Sequence, residues 1–384
     1  MTFRYPEATA HGGRLEYHGP IPVLTVAGGP TEIGRQIGAL ALKPAVRLLD
    51  YPLDYIRSQV RVPLLPRLLW ALLKRKCRGV YTNVPAAYRV EVEACAAACP
   101  DRGRLVAANT LFDMSHVGLR PLFGCSSLVV PPHHSATGGL LFGRNLDFYS
   151  LGYLHEFSLV TAYRPAPGRL GFASLGFPGV VGCFSGMNAA GLCLARHEVL
   201  GPKVRRTFDP SGVPFAVALR EVLETCHTVA EAARRLARVR HATVNIVVLA
   251  DAEDARVLEL TPDGVFERPG TEDVIGCSNH FQHPALANAN QPNAYGTLDR
   301  HATLRRFAAE APARLDRHNV WDALDRVHQG ELTLQSMVFE PAARAIHVAF
   351  GRGPTTDRRP TRIELEPLLD VTVSPSPLCL GSPA

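Results

Sequence analysis

A thiol preceded by glycine and followed by two hydroxyls stands at Phe123-Gly124-Cys125-Ser126-Ser127, with the strand-like run Leu128-Val129-Val130 behind it. This is the setting for an intramolecular N-to-S acyl shift. Gly124 has no side chain to shield its carbonyl and tolerates the strained backbone that such a shift requires. Hydrolysis of the resulting thioester would free the Cys125 α-amine, whose reference pKa of about 7.7–8.0 lets it take the thiol proton near neutral pH. Nucleophile and base then belong to one residue, and no separate catalytic histidine is needed. A second segment, Leu141-Phe142-Gly143-Arg144-Asn145-Leu146-Asp147-Phe148, supplies two charges. Arg144 would lower the thiol pKa or bind substrate, and Asp147 would accept a hydrogen bond from the α-amine. On a regular strand they point to opposite faces, so a bulge or the strand's end at Asp147 is expected to bring both near Cys125.

The elements that must hold these groups follow from periodicity and turn residues. The turn at 135–139 should pair strands 126–130 and 140–148. Further strands are expected at 156–163, 169–175 and 191–197, the last after a turn at Gly186-Met187-Asn188. Helices follow near 213–226 and 229–239, the second opened by the capping-box spacing Thr228-Val-Ala-Glu231. Strands return at 243–250, 255–261 and 274–278, helices at 297–310 and 319–328, and strands at 336–339 and 345–350. Before Cys125, a strand at 21–27 precedes a helix from Thr31, and 85–99 is a helix stopped by Pro100. Residues 60–78 are apolar and basic with no acidic residue. They fit a core helix with basic ends that reach solvent, or a surface that meets acyl chains or a membrane. Hairpin runs separated by helix pairs suit an α+β fold of two stacked sheets with helices outside. The tail after Val373 is expected to be loose.

Composition narrows the function. The 384 residues are 46% hydrophobic and 20% charged, with a formal net charge of +6. That is an ordinary globular balance and too weakly basic to imply nucleic acid as a partner. No basic-then-apolar leader and no apolar run of ~18 residues is visible, so a cytoplasmic protein without stable membrane insertion is expected. Nine cysteines lack C-x-x-C spacing and read as reduced thiols, Cys95 and Cys99 as packing residues. His133, His134, His197, His280 and His283 form no ligand pair, and neither Gly28-Gly29-Pro30 nor Gly168 makes a phosphate loop, so no metal or cofactor is expected.

Taken together, the motifs resemble the acyl-coenzyme A:6-aminopenicillanic acid acyltransferase family, the C45 autoproteolytic peptidases, with a more distant likeness to bile salt hydrolases, penicillin V acylases and acid ceramidase. The resemblance rests on Gly29-Pro-Thr-Glu-Ile-Gly34-Arg-Gln-Ile-Gly38, Gly124-Cys125-Ser126-Ser127 and Gly143-Arg144-Asn145-Leu146-Asp147. It continues through Gly186-Met187-Asn188-Ala-Ala-Gly191-Leu192, Ser278-Asn279-His280-Phe281 and Tyr295-Gly-Thr297-Leu-Asp-Arg300. It implies the four-layer αββα sandwich of N-terminal-nucleophile (Ntn) hydrolases with an additional N-terminal helical segment. It also implies cleavage between Gly124 and Cys125, Cys125 as nucleophile, Asp147 as the carboxylate orienting the new amine, and Arg144 beside them. Asn279 matches an amide donor to the oxyanion, and Arg300 a late arginine near the nucleophile. Where bile salt hydrolases carry a second oxyanion asparagine, this chain has Arg196-His197-Glu198, which leaves a backbone amide or His197 as the second donor. The expected products are a mostly helical fragment 1–124 and a catalytic core 125–384, paired noncovalently in one intertwined domain. The expected substrate is a small N-acyl or acyl-thioester compound or a lipid amide, and a homo-oligomer is compatible. A catalytically silent lipid-binding or scaffold protein of the same fold is the alternative from another class.

Overall fold

The computed structural model describes residues 3–114, 123–199, 201–270, 273–291, 293–310 and 314–369. The tail after Val373, with Cys379, lies outside the described residues. The chain opens with three strands, β1 (Ala8–Ala10), β2 (Gly13–His18) and β3 (Ile21–Gly28). Five helices follow: α1 (Pro30–Ile37), α2 (Tyr51–Gln59), α3 (Leu65–Tyr81), α4 (Ala86–Ala96) and α5 (Arg102–Ala108). Strands β4 (Phe123–Val130), β5 (Leu141–Phe148), β6 (Leu159–Pro165), β7 (Phe172–Gly176), β8 (Ser185–Asn188) and β9 (Cys193–His197) lead to helices α6 (Phe215–Thr225) and α7 (Val229–Ala237). Then come β10 (Asn245–Ala250), β11 (Ala255–Thr261), β12 (Gly264–Glu267) and β13 (Ile275–Cys277). Helices α8 (Thr297–Glu310) and α9 (Arg317–Asp325) precede β14 (Thr333–Glu340), β15 (Ala345–Phe350) and β16 (Thr361–Glu364).

Among the described residues, ten strands form one sheet in the order β1-β2-β3-β6-β7-β8-β9-β10-β11-β12, and six form another in the order β13-β4-β5-β14-β15-β16. Alternate side chains of each strand serve opposite faces. Val129, Phe142 and Met337 of the small sheet meet Val160, Ala173, Ile246 and Val248 of the large one in a common core. Leu128, Val130 and Leu141 point the other way, onto Leu304 of α8 and Val320 and Leu324 of α9. The outer face of the large sheet packs against Ile33, Val92, Phe215 and Leu236 from α1, α4, α6 and α7. The result is a four-layer αββα sandwich. Because each sheet is covered on both faces, β5 is buried along its whole length and shows little polar–apolar alternation.

Two sequence expectations are corrected. Gly186-Met187-Asn188 is not a turn but most of β8. A Cβ on Gly186 would lie 2.5 Å from the Ala173 carbonyl on β7, so glycine serves close approach within the sheet there. Residues 60–78 are not a core helix with basic ends. Helix α3 starts at Leu65, buries Trp70, Cys77 and Val80, and leaves Leu68 and Leu72 more than half exposed. The segment before residue 124 also adds strands to the large sheet. Strand β3 pairs in parallel with β6, so residues from both sides of Cys125 share one ladder.

Candidate active site

Strands β4 and β5 form an uninterrupted antiparallel ladder, in which Gly124 faces Asp147, Cys125 faces Leu146, and Ser127 faces Arg144. No bulge is needed. Cys125 and Arg144 point between the sheets, whereas Asp147 stands on the face of α9, opposite Gly124. The two charges therefore flank Cys125 from different sides, one at the thiol and one at the bond before it.

Strand β13 pairs with the other edge of β4 through Cys277↔Ser127. Two residues further along, the backbone has left the ladder and Asn279 comes level with Cys125. Its side chain replaces the missing strand: Asn279 Oδ1 accepts the Cys125 N–H at 2.8 Å. Arg300, buried in the first turn of α8, donates to the same Oδ1 at 2.8 Å, to the Cys125 carbonyl at 2.6 Å and to Ser126 Oγ at 2.8 Å. Both peptide groups of Cys125 are thus held by side chains. With Oδ1 accepting two donors, the Asn279 amide nitrogen donates to the Glu198 carbonyl at 2.7 Å.

The thiol has no exposed surface in this uncut chain, and its Sγ contacts the Arg196 carbonyl at 3.6 Å. Burial pushes its pKa up, and the neighbouring Arg144 guanidinium pulls in the opposite direction. Arg144 Nε donates to Ser185 Oγ at 3.2 Å, while its two buried terminal nitrogens meet no hydrogen-bond partner among the described residues. A buried donor left open in this way is costly unless a ligand or water fills it. Asp147 is anchored by Thr333 Oγ1 at 2.6 Å and by Gln329 Nε2 at 2.5 Å. Neither anchor belongs to a motif legible in the sequence. Both lie at the entry to β14, the strand that pairs with β5.

His197 bonds Ser127 Oγ through Nε2 at 2.9 Å, two residues along β4 from Cys125. Burial and the surrounding arginines hold its pKa well below the usual histidine range, so the ring is neutral. Beyond Leu146 on β5, Phe148 joins Leu49, Tyr51, Phe112 and Phe177 in lining an apolar cleft. A His133-His134-Asp273 group stands at the surface past the far end of β4, with its ligand atoms within 4.8 Å of one another. The sequence showed no such ligand set, because Asp273 is distant in the chain.

The family described as acyl-coenzyme A:6-aminopenicillanic acid acyl-transferase matches residues 135–354, more than half of the chain, and the match begins beyond Cys125. Among solved structures, the Caenorhabditis elegans N-acylethanolamine-hydrolyzing acid amidase ortholog is 18% identical, with a TM-score of 0.44 over 56% of this chain and 93% of that one. A mutant conjugated bile acid hydrolase from Clostridium perfringens is 14% identical, with a TM-score of 0.44 over 63% of this chain and 93% of that one. Penicillin V acylase from Agrobacterium tumefaciens is 16% identical, with a TM-score of 0.43 over 59% of this chain and 83% of that one. No curated protein matches the sequence.

Proposed function

The chain belongs to the acyl-coenzyme A:6-aminopenicillanic acid acyl-transferase family, and from that premise we propose that it is a cysteine amidohydrolase or acyltransferase activated by scission of its own Gly124–Cys125 bond. The observation that carries this reading is the capture of the Cys125 N–H and carbonyl by Asn279 and Arg300. A residue held in this way keeps its position when the peptide bond before it is lost.

Activation is an acyl shift. Sγ adds to the Gly124 carbonyl carbon, the C–N bond breaks, and the nitrogen takes up the thiol proton and leaves as the Cys125 α-amine. Water then hydrolyses the thioester, leaving the Gly124 carboxylate and the free thiol. In turnover the amine takes the thiol proton, Sγ attacks the substrate carbonyl, and the protonated amine returns its proton to the leaving nitrogen. Water or an acceptor amine releases the acyl group from sulfur. Asp147, opposite Gly124, orients the amine. Arg144, with two open donor nitrogens beside the thiol, favours the thiolate. Asn279 Nδ2 carries a second proton besides the one given to Glu198, and this is the proposed oxyanion donor; such a donor is worth about 3 kcal/mol. The apolar cleft beside Phe148 suits the acyl part of a small N-acyl substrate.

Intact mass after denaturation tests this. Wild type should give fragments 1–124 and 125–384, and Cys125→Ala a single chain. An uncut chain that turns over N-acyl substrates would end the self-processing claim. Failure of Cys125 to form an acyl adduct in cut protein would favour the catalytically silent alternative.

A further inference from the structure

Helix α3 carries the largest unpartnered apolar feature of the described residues. Of the large hydrophobic side chains that stand exposed, half fall within residues 62–72: Val62, Leu64, Leu68, Leu69 and Leu72, with Leu64 at 75% and Leu68 at 57% exposure. Leu68 and Leu72 lie four residues apart on one face of the helix, and the exposed Leu64 stands at its start. The opposite side, with Trp70, Cys77 and Val80, is what anchors α3 to the protein. Both faces are therefore apolar, yet only one has anything to pack against.

The charges around these leucines are of one sign. Arg61, Arg67, Arg75, Lys76 and Arg78 are exposed along and beside them, and no acidic residue occurs from 60 to 78. None of these five forms an ion pair among the described residues, in contrast to Lys74, which lies 3.7 Å from Asp101. A second copy of this chain would set like charges against each other in a two-fold contact. An exposed leucine face rimmed by unpaired cations has a different complement: acyl chains beneath a layer of anionic phosphates. At 17 residues, α3 is too short to span a bilayer and suits lying in its interface.

We propose that the outer face of α3 docks this protein reversibly on anionic phospholipid membranes, with Leu64, Leu68 and Leu72 entering the acyl boundary and the basic residues meeting the headgroup phosphates. The inference does not depend on the chemistry at Cys125, and it is tested with the full chain. Sedimentation with sucrose-loaded vesicles compares pure phosphatidylcholine with phosphatidylcholine containing a quarter phosphatidylglycerol. The expected result is binding to the anionic vesicles, weakened about tenfold without the anionic lipid or at 0.5 M salt. The variant Leu64→Ser/Leu68→Ser/Leu72→Ser should lose binding while keeping the wild-type melting temperature, since these side chains support no core. Arg67→Glu/Arg75→Glu/Lys76→Glu should lose it independently. Absence of binding to anionic vesicles, or binding that survives both variants, would overturn the proposal. So would a concentration-dependent dimer that the leucine variant dissolves, which would assign the face to self-association.

Discussion

Gly124 and Asp147 face each other so closely that a Cβ on the glycine would lie 3.0 Å from the Asp147 carboxylate and 1.8 Å from Gln329 Nε2. The glycine before Cys125 is thus favoured by packing, while its backbone is that of an ordinary strand residue. Any side chain there displaces the amide that anchors the carboxylate.

Gly124→Ala should therefore cost about 1–3 kcal/mol of stability and stop scission. The double variant Gly124→Ala/Gln329→Ala should recover most of the stability, because the blocking atoms are the end of the Gln329 side chain. The two changes share a contact and are expected to be non-additive. Thermal denaturation of the two single variants and the pair reads this coupling; additive losses would refute it.

The part of the site legible in the sequence was the part carried by one hairpin. Cys125, Arg144 and Asp147 lie on neighbouring strands that are consecutive in the chain and pair directly. Asn279 and Arg300 were legible only through family resemblance, because each reaches Cys125 from more than 150 residues away in the chain. Gln329 and Thr333 carried no signal, since holding a carboxylate requires only a donor at the right place. Gly186 misled because an isolated Gly-Met-Asn reads as a turn, whereas here the missing Cβ admits a neighbouring carbonyl. In α3, leucines occupy both faces, so periodicity could not say which one is buried.

Cys125 reactivity should separate uncut from cut protein. Burial raises the thiol pKa in the uncut chain and leaves no exposed surface, so iodoacetamide at pH 7 should label Cys125 slowly or not at all. After scission, labelling should rise by at least about tenfold, the change expected from one pH unit of thiolate fraction. Arg144→Met should reduce the rate in the cut form by removing the cation beside the sulfur. Peptide mapping against time checks both. Equal labelling of cut and uncut protein would contradict the assignment.

The fragments should stay together after scission. Arg220 on α6 makes a bidentate pair with Glu91 on α4, with both bonds at 2.7 Å, and its Nε donates to Glu224 at 2.8 Å. Tyr88 of α4 also donates to Glu224 at 2.7 Å. All four side chains are buried, so the segments before and after the Gly124–Cys125 bond are joined where water does not compete. Arg220→Met strands the buried Glu91 carboxylate, while Glu224 keeps Arg169 and Tyr88, and should cost about 3–5 kcal/mol. Size-exclusion chromatography of cut protein should show one complex for wild type and partial separation for the variant.

Asp113 should make stability depend on pH. It is buried and accepts the Phe215 N–H at 3.1 Å, at the start of α6. Burial pushes its pKa from 3.8 up to about 7, against the opposing pull of that hydrogen bond and of Arg196. The folded protein therefore holds this proton at pH values where the unfolded chain has released it. Its stabilising contribution is complete below about pH 4, declines as the pH rises, and is gone above about pH 7. Over that window the loss is on the order of 4 kcal/mol, at 1.36 kcal/mol per unit. Asp113→Asn keeps an acceptor for Phe215 but has no proton to lose. The melting temperature of wild type minus that of the variant should fall steadily between pH 4 and 7 and level off at higher pH. A difference independent of pH would show that Asp113 remains ionised in the folded protein.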